Sequence, residues 1–104
     1  MAAIPDSVAQ SVKRFLAVLQ QRQRIQAAFL YGSQVTGTAA AWSDIDLAVI
    51  SADFSADRFQ EQLALMRLAA QIDDRIEARA FMPEDFNAGD PLASEIRRTG
   101  VQVA

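Results

Sequence analysis

The sequence predicts an α/β (α+β) domain, a small mixed β-sheet with helices packed on one face. Three observations carry that prediction. Segments with apolar residues at helical spacing alternate along the chain with short, β-compatible apolar runs. The chain has 104 residues, 51% of them hydrophobic, enough to bury about two-thirds of its unfolded surface in one core but not in two. No internal repeat, linker or low-complexity stretch interrupts it, so residues 1–104 read as a single domain.

The elements follow in order. Pro5-Asp6-Ser7 is a helix start, and Val8, Val12, Phe15, Leu16 and Leu19 recur at helical spacing to give a first helix through about Arg24. Ile25 to Tyr31 is short, apolar and β-compatible, and reads as a buried strand. Gly32 ends it, and Ser33 opens a short helix. A second strand runs from Asp44 to Ile50, with Ile45, Leu47 and Val49 pointing into the core. Ser55-Ala56-Asp57 opens another helix that ends near Gln71, with Phe59, Leu63, Met66, Leu68 and Ala70 available to face a sheet. Arg75 to Phe81 is the third strand. Pro83-Glu84-Asp85-Phe86 sets proline and acids in a first helical turn, Pro91 to Thr99 is a last helix stopped by Gly100, and Val101-Gln102-Val103 is a closing strand.

Composition removes several classes of chemistry. With no cysteine there are no disulfides, zinc thiolates or thiol nucleophiles, and with no histidine the usual general base and transition-metal ligand are gone. Catalysis by this chain therefore uses carboxylates and metal. The single lysine, Lys13, follows no phosphate-loop pattern. A net charge of -3 argues against direct nucleic-acid binding, which is mostly phosphate neutralisation by clustered Lys and Arg. No apolar run approaches membrane-spanning length, and Met1-Ala2-Ala3-Ile4-Pro5-Asp6 lacks a signal pattern, so a cytoplasmic protein without membrane contact is expected.

The informative motif is Gly32-Ser33, ten residues, then Asp44-Ile45-Asp46. Glycine admits backbone angles closed to other residues and lets the main chain approach a ligand, while Ser33 and the amides after it suit phosphate. In a strand, Asp44 and Asp46 share one face at a separation near 5 to 7 Å, where their charges repel unless a cation sits between them. Oxygen-only ligands of this kind suit Mg²⁺ or Mn²⁺.

Leu30-Tyr31-Gly32-Ser33, the ten-residue spacer and Ser43-Asp44-Ile45-Asp46-Leu47-Ala48-Val49 resemble the DNA polymerase β-type nucleotidyltransferase superfamily, and within it the minimal nucleotidyltransferases, often encoded beside a HEPN-domain toxin. The resemblance implies the nucleotidyltransferase fold and a third carboxylate on a neighbouring strand. Glu77 is the candidate, because it stands in an otherwise small and apolar run where an unpaired carboxylate is costly to desolvate. Asp73 and Asp74 compete for the role but read as turn and solvated residues. The resemblance implies two Mg²⁺ held by Asp44, Asp46 and Glu77, with ATP as substrate and Gly32, Ser33 and Ser43 as nucleotide-binding residues. Ser33 also reads as a helix cap and Ser43 as a turn residue, Trp42 reads as packing ahead of base stacking, and a phosphate contact by Arg75 or Arg79 is likewise the lesser reading of those residues. By resemblance, the reaction moves AMP from ATP to a tyrosine hydroxyl of a HEPN toxin and silences it, which makes the chain an antitoxin. The alternatives are a nucleotide-binding antitoxin that neutralises its partner stoichiometrically, and a homodimeric transferase acting on a small molecule.

Overall fold

The structure, a computed structural model, describes residues 4–40, 42–54, 57–87 and 89–104. Met1, Ala2 and Ala3 of the N-terminal stretch, Ala41 of the spacer, and the expected helix start at Ser55-Ala56 lie outside the described residues. Among those described, the order is α1 (Asp6–Gln20), β1 (Ala27–Tyr31), α2 (Ser33–Thr36), β2 (Ile45–Ile50), α3 (Arg58–Ile72), β3 (Ile76–Phe81), α4 (Pro83–Asn87), α5 (Pro91–Thr99) and β4 (Val101–Gln102). The strands form one mixed sheet in the order β3-β2-β1-β4, with β1 antiparallel to β2 and β4, and β2 parallel to β3. This is the expected fold class.

Side-chain alternation gives the sheet two different faces. On one, Ala28, Leu30, Ile45, Leu47, Val49, Ile76 and Ala78 are buried beneath α1 and α3. The α1 stripe is the expected one, with Val8, Val12, Phe15, Leu16 and Leu19 all buried. α1 ends at Gln20 and not near Arg24, because Arg22 and Gln23 donate back to the Leu19 carbonyl in a closing turn and the Arg24 amide is taken by Asp53 at 2.9 Å.

α3 rotates differently from the sequence expectation. Its sheet-facing residues are Leu65, Leu68 and Ala69, whereas Phe59 and Met66 stand 73% and 54% exposed and Ala70 is exposed too. Apolar residues occur on several sides of this helix, so spacing alone did not identify the buried one. Asp57 caps it, accepting from the Gln60 amide at 3.1 Å. Gln62 then reaches the outer edge of β3, donating to the Ala78 carbonyl at 2.5 Å and accepting from the Ala80 amide at 3.1 Å. Those edge groups are thereby withheld from another strand.

The two long helices lie on one face, and the short C-terminal helices cover half of the other. Ala48, Ile50, Phe81, Phe86, Ala93 and Ile96 form a second apolar cluster, with Phe29 stacked on Phe86 at 5.4 Å between ring centroids and Phe81 edge-on to it at 5.3 Å. The sequence reading left this whole face open. The remaining half is uncovered, and it carries the polar residues of the motif.

Candidate active site

Register brings the sequence-predicted residues together. β1 pairs Tyr31 with Asp46, and β2 pairs Asp46 with Glu77, so the three side chains form one row across the face not covered by α1 and α3. β2 begins at Ile45 and not at the expected Asp44, which immediately precedes it, close enough for its charge to act on the Asp46 carboxyl. The next row holds Phe29, Ala48 and Arg79, where the apolar cluster begins.

Gly32 ends β1 directly against this row. Its backbone, at φ 75° and ψ -149°, belongs to glycine, and a β-carbon added there would collide with the Asp46 carboxylate. The turn thus exists to bring main chain and carboxylate side by side. Ser33 begins α2, and the Gly32 carbonyl accepts from the Val35 and Thr36 amides at 3.1 and 3.2 Å. Gly32 is the N-cap of α2 and Ser33 its first residue, so the helix-cap reading of Ser33 does not hold.

Ser43 closes the turn before Asp44. Its hydroxyl accepts from the Ala40 amide at 2.8 Å while its own amide donates to the Ala40 carbonyl at 3.1 Å, so the turn role holds and the hydroxyl proton remains free to donate. Sequence reasoning missed Gln34. Only 3% exposed, it donates through Nε2 to the Asp44 carbonyl at 3.3 Å and to the Ser43 carbonyl at 3.5 Å, tying α2 to the start of β2. A polar residue directly after Gly-Ser was the only signal for it. Trp42 is 82% exposed, which overturns the packing reading of that residue.

Glu77 is on the expected strand but not in the expected environment. β3 is an edge strand, and its alternation puts Glu77 on the open face, where it is exposed; the desolvation argument for it therefore fails, and its place in the row carries its candidacy instead. Asp73 is corrected as well. It is a turn residue, but not a solvated one: it accepts from the Ser11 hydroxyl at 2.6 Å, from Arg75 Nη2 at 2.8 Å and from Arg75 Nε at 3.1 Å, binding α1 to the start of β3. The Arg75 side chain and the Ser11 hydroxyl hold its carboxyl well below the usual carboxylate range. Asp74 is exposed, as expected.

The electrostatics of the row are those of an incomplete charge balance. Partial burial, with Asp44 and Glu77 nearby, pushes the Asp46 carboxyl up, and Arg79 opposes the shift. Burial likewise pushes the Tyr31 hydroxyl up, against a hydrogen bond from Arg79, while the Asp46 charge adds to the rise. A cleft of about 260 Å³ opens here along β3, lined by Tyr31, Asp46, Glu77 and Arg79 on one side and Gln62 and Met66 on the other. A larger groove of about 500 Å³ lies between α1 and the chain end at Val103, and its lining holds no carboxylate side chain.

The donor set suits a hard divalent cation, since it is all carboxylate oxygen and its charge exceeds that of the arginine beside it. Among the described residues, no three acidic groups are drawn together tightly enough to enclose an ion as they stand. Asp46 is the half-buried member of the set, and Asp44 and Glu77 are its exposed members.

Comparison with known proteins agrees with this geometry. The family model described as polymerase beta, nucleotidyltransferase matches residues 13–104. Among solved structures, a toxin-antitoxin with AMP-PNP is similar at TM-score 0.64 and 21% identity, over 92% of this chain and 72% of that one. A doubly substituted MntA-HpeT toxin-antitoxin is similar at TM-score 0.62 and 19% identity, over the same shares, a likeness of fold. Among curated proteins, none is significantly similar in sequence. With the family model spanning almost the whole chain, this protein belongs to the polymerase beta-type nucleotidyltransferases.

Proposed function

We propose that this chain is the antitoxin of a toxin-antitoxin pair and transfers AMP from ATP to a hydroxyl, of tyrosine type, on a HEPN-domain toxin. The observation that carries the reading is the row of Asp46 and Glu77, with Asp44 beside it, on the uncovered half of a nucleotidyltransferase sheet next to Gly32-Ser33. Two further points support it. The two solved structures named above are toxin-antitoxin proteins, one of them with an ATP analogue. The chain itself has no histidine or cysteine, so carboxylates are the available means of acid-base and metal chemistry.

In this reading Asp44, Asp46 and Glu77 would hold Mg²⁺, which would supply Lewis-acid activation of the acceptor hydroxyl and charge neutralisation for the leaving pyrophosphate. Gly32 lets the main chain approach the β and γ phosphates, and the Ser33 hydroxyl donates to them. Ser43 donates its hydroxyl proton to the nucleotide while the turn it closes keeps Asp44 at the head of β2. Gln34 holds the Asp44 carbonyl, so the carboxylate pair is preorganised and does not need to be ordered during the reaction. The half-covered face leaves the acceptor side open, which suits an acceptor delivered on another protein.

The test is transfer of labelled AMP from ATP to the purified partner with Mg²⁺. Asp44→Ala and Asp46→Ala should each abolish transfer while the protein remains folded. Full activity in either variant overturns the reading.

A further inference from the structure

Two arginines on or beside β3 are in a position to meet a phosphate, and the structure separates them. Arg75 is engaged by Asp73 through its backbone amide and through side-chain bonds at 2.8 and 3.1 Å. Arg79 lies four residues further on, within β3. It stands opposite Ala48, one pair along from Asp46 and Glu77, and lines the same cleft. Ala48 offers only a methyl group, so little side-chain bulk on β2 stands beside Arg79, and Phe29 is the next residue along that row. Within the cleft lining, Asp46, Asp74 and Glu77 supply three carboxylates against this one guanidinium. Arg79 also lines the adjoining cavity of about 400 Å³, beside Arg58 and Phe59, so it stands where the two spaces meet.

We propose that Arg79 is the phosphate clamp of this site, and that before nucleotide binds the same guanidinium serves as the counter-charge of Asp46. This deepens the nucleotidyltransferase reading and rests on it. A guanidinium suits both tasks, because its planar fork bonds carboxylate and phosphate oxygens in the same bidentate way. The place of Arg79 one pair along from Asp46, on the lining of the same cleft, is what the resting half of the proposal requires. The working half follows from charge. A polyphosphate entering a cleft with three carboxylates needs a cation that can leave Asp46, and Arg79 is the cation within reach.

The proposal gives two effects of opposite sign, which loss of structure would not produce. Arg79→Gln removes a competitor for Asp46, so Mn²⁺ titrated without nucleotide should bind about 3- to 10-fold more tightly than to wild type. The same variant should bind α,β-methylene-ATP with Mg²⁺ about 10- to 100-fold more weakly, the scale of a charge-assisted hydrogen-bond pair. Arg79→Lys keeps the charge but not the fork, so its Mn²⁺ affinity should return toward wild type while nucleotide affinity recovers only in part. Calorimetry and thermal unfolding on all three proteins read these outcomes. The proposal is overturned if Arg79→Gln binds the nucleotide analogue as wild type does, or if metal and nucleotide affinities fall together. Wild-type protein that binds the metal and nucleotide analogue normally, with unchanged Arg79→Gln affinities, would sink the clamp and leave the enzyme reading standing. Wild-type protein that binds no nucleotide would overturn both.

Discussion

Replacing Gly32 by alanine should damage this protein in two separable ways. The backbone there, at φ 75° and ψ -149°, lies in a region reserved in practice for glycine, and an L-residue held in it costs about 1–3 kcal/mol. The added methyl would also meet the Asp46 side chain, with Cγ only 3.3 Å away and the carboxylate oxygen closer still, so Asp46 has to move. For a domain of this size each kcal/mol lowers the melting temperature by about 4–8 °C. Thermal and urea unfolding of wild type, Gly32→Ala, Asp46→Ala and the double variant distinguish the two costs. The backbone cost persists without Asp46, whereas the collision vanishes, so Gly32→Ala should be less destabilising in the Asp46→Ala background by about 0.5 kcal/mol or more. A Gly32→Ala protein as stable as wild type, or an equal cost in both backgrounds, would refute the packing of Gly32 on Asp46.

Three further expectations follow from the site. Glu77→Gln should cut transfer at least about a hundredfold while leaving the melting temperature nearly unchanged, since Glu77 is exposed; if Asp73→Asn or Asp74→Asn does so instead, the third carboxylate has been misassigned. Asp73 has a folded pKa below its unfolded value, so its stabilisation is present above the ordinary aspartate range and is lost as pH falls through the folded value. Asp73→Asn should cost about 1–2 kcal/mol at neutral pH, and the gap to wild type should narrow progressively as pH falls below about 4 in urea titrations. Asp46 behaves oppositely. Its folded pKa is raised, so ionisation costs stability as pH rises through that value; without metal, Asp46→Asn should be more stable than wild type at neutral pH and lose the advantage in acid.

The elements that carry the motif were legible because two periodicities coincide there. Alternation in Asp44 to Val49 separates carboxylates from core, and the Gly-Ser turn ends the preceding strand against them, as the pairing of Tyr31 with Asp46 bears out. The second covered face was less visible, though Leu47, Ala48, Val49 and Ile50 are apolar at consecutive positions, the mark of a strand buried on both sides. α3 was misread because Phe59, Leu63 and Met66 offer a helical stripe that competes with Leu65, Leu68, Ala69 and Ile72. Gln34 and Asp73 owe their importance to partners distant in sequence, at Asp44 and Ser11, and no local pattern announces such bonds. Glu77 was chosen for a burial it does not have, yet the register with Asp46 brings it into the row.

Adenylyl transfer to a partner protein is most directly tested by the intact mass of a HEPN-domain partner after incubation with ATP, Mg²⁺ and a small fraction of an equivalent of this protein. The partner should be silenced and heavier by one or more adenylate units, and the Asp44/Asp46 double variant should leave both mass and toxicity unchanged. A silenced partner of unshifted mass, or full protection by the double variant at equal concentration, would contradict catalysis and leave stoichiometric binding in its place.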